Sequence, residues 1–225
     1  MTQIDRTRRR VLLCALLCLL PPAPAGAQDI AAGLTEALVV GTERVVAQLG
    51  RPGGFLDDPK ARIPLPGPLE QAQGALRMAG MSGLVDDLEV RMNRAAEQAT
   101  PLAKDLIIAA IRGLSFKDAM AILQGPKDSA TRYLERRTGK PLAQKMRPIV
   151  DAALADAGAV QAYQSVAGEY RSLPLVGGAL DVDLTGHVVA YAEKAIFGYL
   201  GRQEAAIRTD PAARTTELLR SVFGG

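Results

Sequence analysis

The stretch TPLAKDLIIAAIRG, residues 100–113, decides the fold class of this chain. Its middle is apolar on nearly every side, which is typical of a helix surrounded by other helices. Thr100 is a residue type that caps helix starts, Pro101 fits the first helical position, and Gly113 permits a left-handed exit. The pattern therefore predicts a central core helix that starts at Thr100 and ends at Gly113.

The segments on either side of this stretch are amphipathic, with apolar residues three or four positions apart. Ser115 and Asp118 predict a capping box, Gly139 predicts a helix end, and Pro148 predicts a kink or split. Asp210 predicts the cap of a last helix. The helical ranges are 30–49, 68–79, 84–99, 116–123, 126–138, 141–157, 160–170 and 184–200. We find no strand pattern, so the predicted fold is all-α, a single-domain multi-helix array around a buried central helix without β-sheet.

Residues 51–68 interrupt the helical pattern with glycines and prolines that prevent regular structure. Loops of this length are often functional, but Phe55, Leu56, Ile63 and Leu65 give this one apolar surface to bury. We therefore expect it to strap across the core rather than to act as a binding loop.

The first 27 residues have the organisation of a secretory signal peptide. Arginines precede an apolar run at 11–20, and the small residues Ala25-Gly26-Ala27 follow. The run is about ten residues long, too short to span a bilayer as a helix. We expect cleavage after Ala27, which would leave residues 28–225 as one all-α domain in the periplasm. Arg8-Arg9 also resembles a twin-arginine signal, so the Sec and twin-arginine routes both stay open.

The composition of residues 28–225 excludes several classes of function. Both cysteines, Cys14 and Cys18, lie in the predicted signal, so disulfides, thiolate metal sites and cysteine nucleophiles are not expected after cleavage. Four of the 27 basic residues and one of the 24 acidic residues also lie there, which leaves 23 of each. A formally neutral chain without tryptophan gives no argument for nucleic-acid binding. No later apolar run is long enough for a membrane span, so we expect a soluble protein.

Five segments in this order resemble the domain-of-unknown-function 4197 family of exported bacterial proteins. They are residues 33–50, IPLP at 63–66, MNRAAE at 92–97, ILQGP at 122–126 and IRTDPAARTTELL at 207–219. The resemblance covers nearly the whole predicted mature chain and implies an exported helical protein, but the family carries no established activity. His187, Val189 and Ala195 stand where the family pattern has tyrosine, threonine and glycine. This departure argues against a hydroxyl-based role for that helix.

One group of polar side chains on the helix at 84–99 could bind a ligand. Asp86, Asp87 and Glu89 offer oxygen ligands for a cation or paired carboxylates for acid–base chemistry, and Asn93 and Arg94 follow on the same helix. The simpler interpretation is a solvated helix face with partners three or four residues apart. Because calcium loops place their oxygens in a bent loop, we expect no metal site on this straight helix. The expected pairs are Asp87 with Arg91, Glu89 with Asn93, and Arg94 with Glu97.

Two further features could contact a ligand. Arg214, with the hydroxyls of Thr215 and Thr216, lies in the first turns of the predicted last helix and could receive an anionic headgroup. His187 is the only histidine, and without cysteines it makes no usual zinc site. We expect an ordinary, partly buried histidine.

These observations favour a non-enzymatic binding or interaction protein that takes a partner protein or an apolar, lipid-like ligand held between helices. The alternative is a hydrolase or cation-dependent enzyme that uses Asp86, Asp87, Glu89 and Arg94. An enzyme would bring these charges together in one concave site, whereas a binding protein would spread them over solvated faces. An envelope scaffold would instead expose an apolar patch. The sequence indicates no cofactor.

Overall fold

The computed structural model describes residues 25–173, residues 180–210 and Arg220, with the side chains of the first helix described from residue 31. Seven α-helices occupy these ranges, and no strand occurs in them. The all-α fold class is therefore confirmed. The helices are α1 (Ala25–Leu49), α2 (Gly67–Met78), α3 (Ser82–Arg112), α4 (Phe116–Leu123), α5 (Ser129–Asp156), α6 (Ala159–Ser172) and α7 (Leu184–Thr209).

Helix α3 is the central helix, because it packs against α1, α2, α5, α6 and α7. Its burial is heaviest over residues 92–100, where only Arg94 and Gln98 reach the surface. The later part of the helix has one solvent-facing side, on which Leu102 is 61% exposed. The helix predicted over 100–113 is thus central, but it is not surrounded on every side.

The predicted start of this helix at Thr100 is wrong. Helix α3 runs without a break from Ser82 to Arg112 and passes through Pro101. The Thr100 hydroxyl donates to the Ala96 carbonyl at 2.8 Å, as in a helix interior, and caps nothing. Gly113 has φ −83°, so the left-handed exit is also wrong. An internal proline costs about 3 kcal/mol. Burial of Ala99, Thr100 and Ala103, which lie close to Pro101 in the helix, offsets that cost.

The predicted helix end at Gly139 is wrong for a related reason. Helix α5 continues through Gly139, Pro141 and Pro148 as one element, so it is not split at Pro148 either. A Cβ added to Gly139 would lie 2.7 Å from Oε1 of Glu193 on α7. The glycine therefore permits close packing of α5 on α7 rather than terminating a helix.

The start of α5 is fixed by a side chain from α7. Glu204 is buried, and its two carboxylate oxygens accept from the backbone N–H groups of Ala130 and Thr131, both at 2.9 Å. Arg208 pairs with the same carboxylate at 3.0 Å. Because these amides are free donors of the first turn, Glu204 caps α5 from a distance and holds the two helices together. The capping box predicted for α4 is confirmed, since Ser115 and Asp118 bond reciprocally.

Residues 50–66, between α1 and α2, form the segment that we call the strap. Phe55, Ile63 and Leu65 are buried in the core, so the prediction of a loop that straps across it is confirmed. The strap leaves α1 through a tight turn in which a Cβ on Gly54 would lie 2.3 Å from the Leu49 carbonyl oxygen. Only glycine fits this position without moving the end of α1.

Two predicted segments lie outside the described residues: most of the signal peptide and, apart from Arg220, the last helix expected after Asp210. In the parts that are described, no helix combines the length and the apolar composition needed to cross a membrane.

Candidate functional site

The carboxylates predicted as a cluster on α3 each have a separate partner. Asp87 pairs with Arg91, whose Nε lies 2.7 Å from the carboxylate, as expected for residues four apart. Asp86 accepts from the side-chain amide of Gln73 on α2 at 3.3 Å. Both aspartates are exposed. Their partners therefore lie on two different helices, Gln73 on α2 and Arg91 on α3.

Glu89 and Arg94 connect α3 to the strap. The Nε atom of Arg62 donates to Glu89 at 2.8 Å. Arg94 pairs with Glu97 at 2.7 Å, which confirms one expected pair. Glu97 was expected on the charged outer side of the helix; this is wrong, because it is buried and accepts from the strap amides of Phe55 and Leu56, both at 3.2 Å.

Asn93 is fully buried and binds the strap backbone in two directions. Its Oδ1 accepts from the Ile63 N–H at 2.9 Å, and its Nδ2 donates to the Ile63 carbonyl at 2.9 Å. The expected pairing with Glu89 occurs through the Glu89 backbone carbonyl at 2.8 Å rather than through its side chain. Asn93 therefore holds the strap against α3.

The strap is also held by α7. The Nε2 atom of His187 donates to the Pro64 carbonyl at 2.8 Å, and the histidine is partly buried, as expected. The hydroxyl of Tyr199 donates to the carboxylate of Asp58. This bond holds the pKa of Asp58 below its ordinary value, whereas burial, helped by Asp58, raises the pKa of Tyr199. Contacts on α3 and α7 thus fix the strap at both of its edges.

A cleft of about 480 Å³ lies between the strap and α7, and we call it the strap cleft. Lys60 and Arg62 line its strap side, Tyr191 and Lys194 line its α7 side, and Glu89 contributes a carboxylate. Volumes of this order are typical of small-molecule sites. The strap cleft therefore has the size of a ligand site and carries three cationic side chains against one anionic side chain.

A second cleft, of about 520 Å³, lies between α5 and α7, and we call it the α5–α7 cleft. Its polar lining is Lys127, Asp128, Thr131, Arg132, Glu135, Lys194 and Arg202. Arg132 pairs with Asp128 at 2.7 Å, and the Arg202 guanidinium lies 3.7 Å from the centre of the Tyr199 ring. Lys194 lines both clefts, so the two form one continuous face along α7.

Three lysines on this face, Lys60, Lys127 and Lys194, make no ion pair with a carboxylate within the described residues. All three are exposed, and the Nζ atom of Lys194 lies 5.8 Å from the centre of the Tyr191 ring. The cationic charge of the face is therefore available to an anionic ligand. A basic face of this kind was missed in the sequence, because its members come from three distant segments.

The family model described as "Protein of unknown function (DUF4197)" matches residues 25–224. The chain belongs to this family. No curated protein and no solved structure matches the chain. The family assignment confirms the resemblance found in the sequence. It supplies no activity, so any function of this DUF4197 member is inferred from the arrangement of its own side chains.

The described part of this DUF4197 chain brings no three histidine, cysteine, aspartate or glutamate side chains together as a metal-binding group. Arg214 and Thr215, the other predicted ligand contacts, lie outside the described residues. Of the predicted candidates, only Glu89 lines the strap cleft. The strap cleft is thus suited to binding an anion by charge and hydrogen bonding, and Glu89 and Asn93 of α3 hold the strap.

Proposed function

We propose that this chain is an exported, non-catalytic binding protein that recognises an acidic ligand or partner on the α7 face, meaning the strap cleft and the α5–α7 cleft together. The observation that carries the proposal is the contrast between the two sets of charges. The predicted acidic residues on α3 are paired with structural partners, while Lys60, Lys127 and Lys194 line the two clefts without a carboxylate partner in the described chain.

The geometry gives a lipid-like ligand enclosed between helices little support. The apolar cavity between α1 and α7, lined by Leu34, Leu38 and Leu200 among others, has a volume of only about 20 Å³. That is room for roughly one water molecule. The two larger clefts open to the surface and are lined by charged side chains, which favours a ligand or partner that carries negative charge.

The enzyme alternative would use Asp86, Asp87, Glu89 and Arg94. Catalysis would need these groups to converge on one reacting atom. Their partners instead lie on α2, on α3 itself and on the strap. Large apolar side chains that would suit the scaffold alternative are also dispersed, with Met78, Leu102 and Phe116 exposed on three different helices. Binding on the α7 face is therefore the function that the geometry favours.

The site of action is part of the proposal. The arginines and the short apolar run before Ala27 support export to the periplasm with cleavage at that point. The intact mass of protein recovered from the periplasm tests this directly. A chain that begins at Gln28 is expected, and a chain that retains residues 1–27 would contradict it.

Charge reversal on the α7 face tests the proposed binding. The test variant is Lys127→Glu/Lys194→Glu, and the matched control is Lys117→Glu/Lys145→Glu, which makes the same charge change at exposed lysines outside both clefts. All proteins are expressed with their signals and purified from periplasm without detergent. Native mass spectrometry then records small-molecule adducts, and cross-linking in cells records bound proteins.

We expect at least one adduct or cross-linked partner to be present with the wild type and the control and to be lost with the test variant. Circular dichroism checks that all three proteins are folded. The proposal is wrong if the folded test variant keeps every adduct and cross-link of the wild type, or if the wild type shows neither.

A further inference from the structure

We propose that the strap cleft is a site for a phosphoryl group, carried by a soluble phosphate ester or by a lipid headgroup. The inference rests on the proposed function and makes it specific, because it names one cleft, one ligand chemistry and the donors. It concerns Lys60, Arg62, Lys194 and Tyr191, which come together only in the folded chain.

The cleft presents hydrogen-bond donors that nothing in the described chain occupies. The ammonium groups of Lys60 and Lys194 make no ion pair there, and the hydroxyl of Tyr191 makes no hydrogen bond there. Arg62 uses Nε for its bond to Glu89, which leaves its terminal N–H groups available. The cleft therefore offers several donors from both walls to one ligand.

The balance of charge favours a phosphoryl group over a single carboxylate. Three cationic side chains line the cleft against the one carboxylate of Glu89, which Arg62 already neutralises at 2.8 Å. Two positive charges then remain, on Lys60 and Lys194. A phosphate monoester carries about −1.5 to −2 charge at neutral pH and has three acceptor oxygens. Its three oxygens are enough acceptors for both ammonium groups and the Tyr191 hydroxyl, and its charge matches theirs, whereas one carboxylate supplies half of that charge.

The walls of the cleft are held in place before any ligand arrives. Ala61 is buried between Lys60 and Arg62, and the N–H groups of Ala61 and Arg62 both donate to the Asp58 carbonyl, at 3.0 and 2.8 Å. Asn93 then fixes the next residue of the strap. On the other wall, Tyr191 stacks against His187 with ring centres 4.6 Å apart. A site built on anchored backbone loses less conformational entropy when it binds.

The apolar part of the lining indicates what the phosphoryl group is attached to. Pro59, Pro64, Ala195 and the Tyr191 ring line the same cleft as the donors. Its volume of about 480 Å³ exceeds what a bare inorganic ion needs. We therefore expect a phosphate ester with a small organic group to bind more tightly than inorganic phosphate.

The test uses protein expressed from the full chain and purified from the periplasm, with three probes: inorganic phosphate, glycerol 3-phosphate and vesicles of phosphatidylglycerol. Phosphatidylcholine vesicles are the neutral reference. Binding of the soluble probes is measured from amide shifts of residues 60–63 and 190–195 in NMR titrations. The variants are Lys60→Met/Lys194→Met and Tyr191→Phe. The matched control is Lys117→Met/Lys145→Met.

We expect glycerol 3-phosphate to bind at the named residues, with a loss of about tenfold or more in Lys60→Met/Lys194→Met and a smaller loss in Tyr191→Phe. The control should bind as the wild type does. Binding to the soluble ester but not to anionic vesicles assigns the site to soluble phosphates. Vesicle binding that disappears in Lys60→Met/Lys194→Met assigns it to a lipid headgroup.

Three results would overturn the inference. They are the absence of any binding by glycerol 3-phosphate and by anionic vesicles, equal binding in the folded lysine variant, and shifts confined to residues outside the cleft. The proposed function fails separately, because it depends on adducts or partners that are lost with Lys127→Glu/Lys194→Glu. If a partner is lost with Lys127→Glu/Lys194→Glu but none of the phosphate probes binds, the proposed function stands and only the phosphoryl inference is wrong.

Discussion

At the scale of single residues, three buried polar side chains share one task. Asn93, Glu97 and Glu204 are each less than a tenth exposed, and each accepts hydrogen bonds from backbone N–H groups of another segment. A buried backbone amide without a hydrogen-bond partner costs free energy. These side chains supply partners for amides of the strap and of the first turn of α5, so that this backbone can be buried. Their polarity serves packing, and the ligand-accessible charges lie elsewhere.

Replacement of Asn93 by alanine should lower the free energy of unfolding by about 3 kcal/mol, because it leaves the N–H and carbonyl of Ile63 buried without partners. Denaturant unfolding followed by circular dichroism measures the change. The control is Gln98→Ala, an exposed residue of the same helix, which should stay within about 0.5 kcal/mol of the wild type. A result for Asn93→Ala as small as the control's would show that the strap does not depend on this side chain.

Some of these residue contacts could be predicted from the sequence. It placed Arg94 with Glu97 and described His187 correctly as partly buried. It assigned Glu97 to solvent because a charged residue on a helix is ordinarily exposed, and nothing local reveals the strap amides that compensate its burial. The basic α7 face was missed because Lys60 and Lys194 are distant in the chain, and periodicity within one helix carries no information about contacts between segments.

At the scale of the elements, two helices cross residues that ordinarily end them. Pro101 in α3, and Gly139, Pro141 and Pro148 in α5, all lie inside continuous helices. Local propensity predicted breaks at Thr100 and Gly139, but packing against neighbouring helices outweighs a local cost of a few kcal/mol. The capping box at Ser115 was predictable because all of its contacts are local. Element type could therefore be predicted from the sequence, whereas element length depended on tertiary contacts.

The packing of α5 on α7 predicts a pH dependence at Glu193. Burial raises the pKa of this carboxyl above its ordinary value, and the nearby Glu135 carboxylate raises it further. Because its pKa is raised in the folded state, protonation of Glu193 stabilises the fold. This contribution to the free energy of unfolding is fully present below the ordinary pKa of a glutamate and is lost as the pH rises through the raised value. Glu193→Gln should therefore have a higher melting temperature than the wild type at pH 7.

This advantage of Glu193→Gln should vanish in acid, below the ordinary pKa of a glutamate, where the wild-type carboxyl is also protonated. Thermal melts across this pH range measure it. The control is Glu36→Gln, which removes an exposed carboxylate from α1. An advantage that persists unchanged in acid would show that the effect comes from packing and not from the charge of Glu193.

At the scale of the whole molecule, α3 connects the parts of the fold. It packs against five helices and, through Asn93 and Glu97, against the strap. Five of the other six helices in the described ranges pack against α3, and α4 packs against α1 and α5, so the buried apolar residues form one cluster there. We therefore expect the chain to unfold as one cooperative unit.

Replacement of Ile107 by alanine tests this expectation. Ile107 is fully buried in α3, so the substitution should lower the free energy of unfolding by about 3 kcal/mol. Leu102→Ala, on the exposed side of the same helix, should change it by no more than about 0.5 kcal/mol. Both variants should give coincident transitions by circular dichroism and by fluorescence of the five tyrosines. Separate transitions for the two probes would contradict a single cooperative unit.

The strap also has a consequence for the order in which the chain folds. Its partners on α3 lie 30 and 42 positions downstream, while its partners on α7 lie 123 and 141 positions downstream. During synthesis, the strap can dock on α3 long before α7 emerges, and contacts of such long range form late. The strap cleft therefore does not exist in a partly made chain. The cleft forms only when α7 packs against the strap, so a ligand for this cleft would bind chains that contain α7 and not chains that end before it.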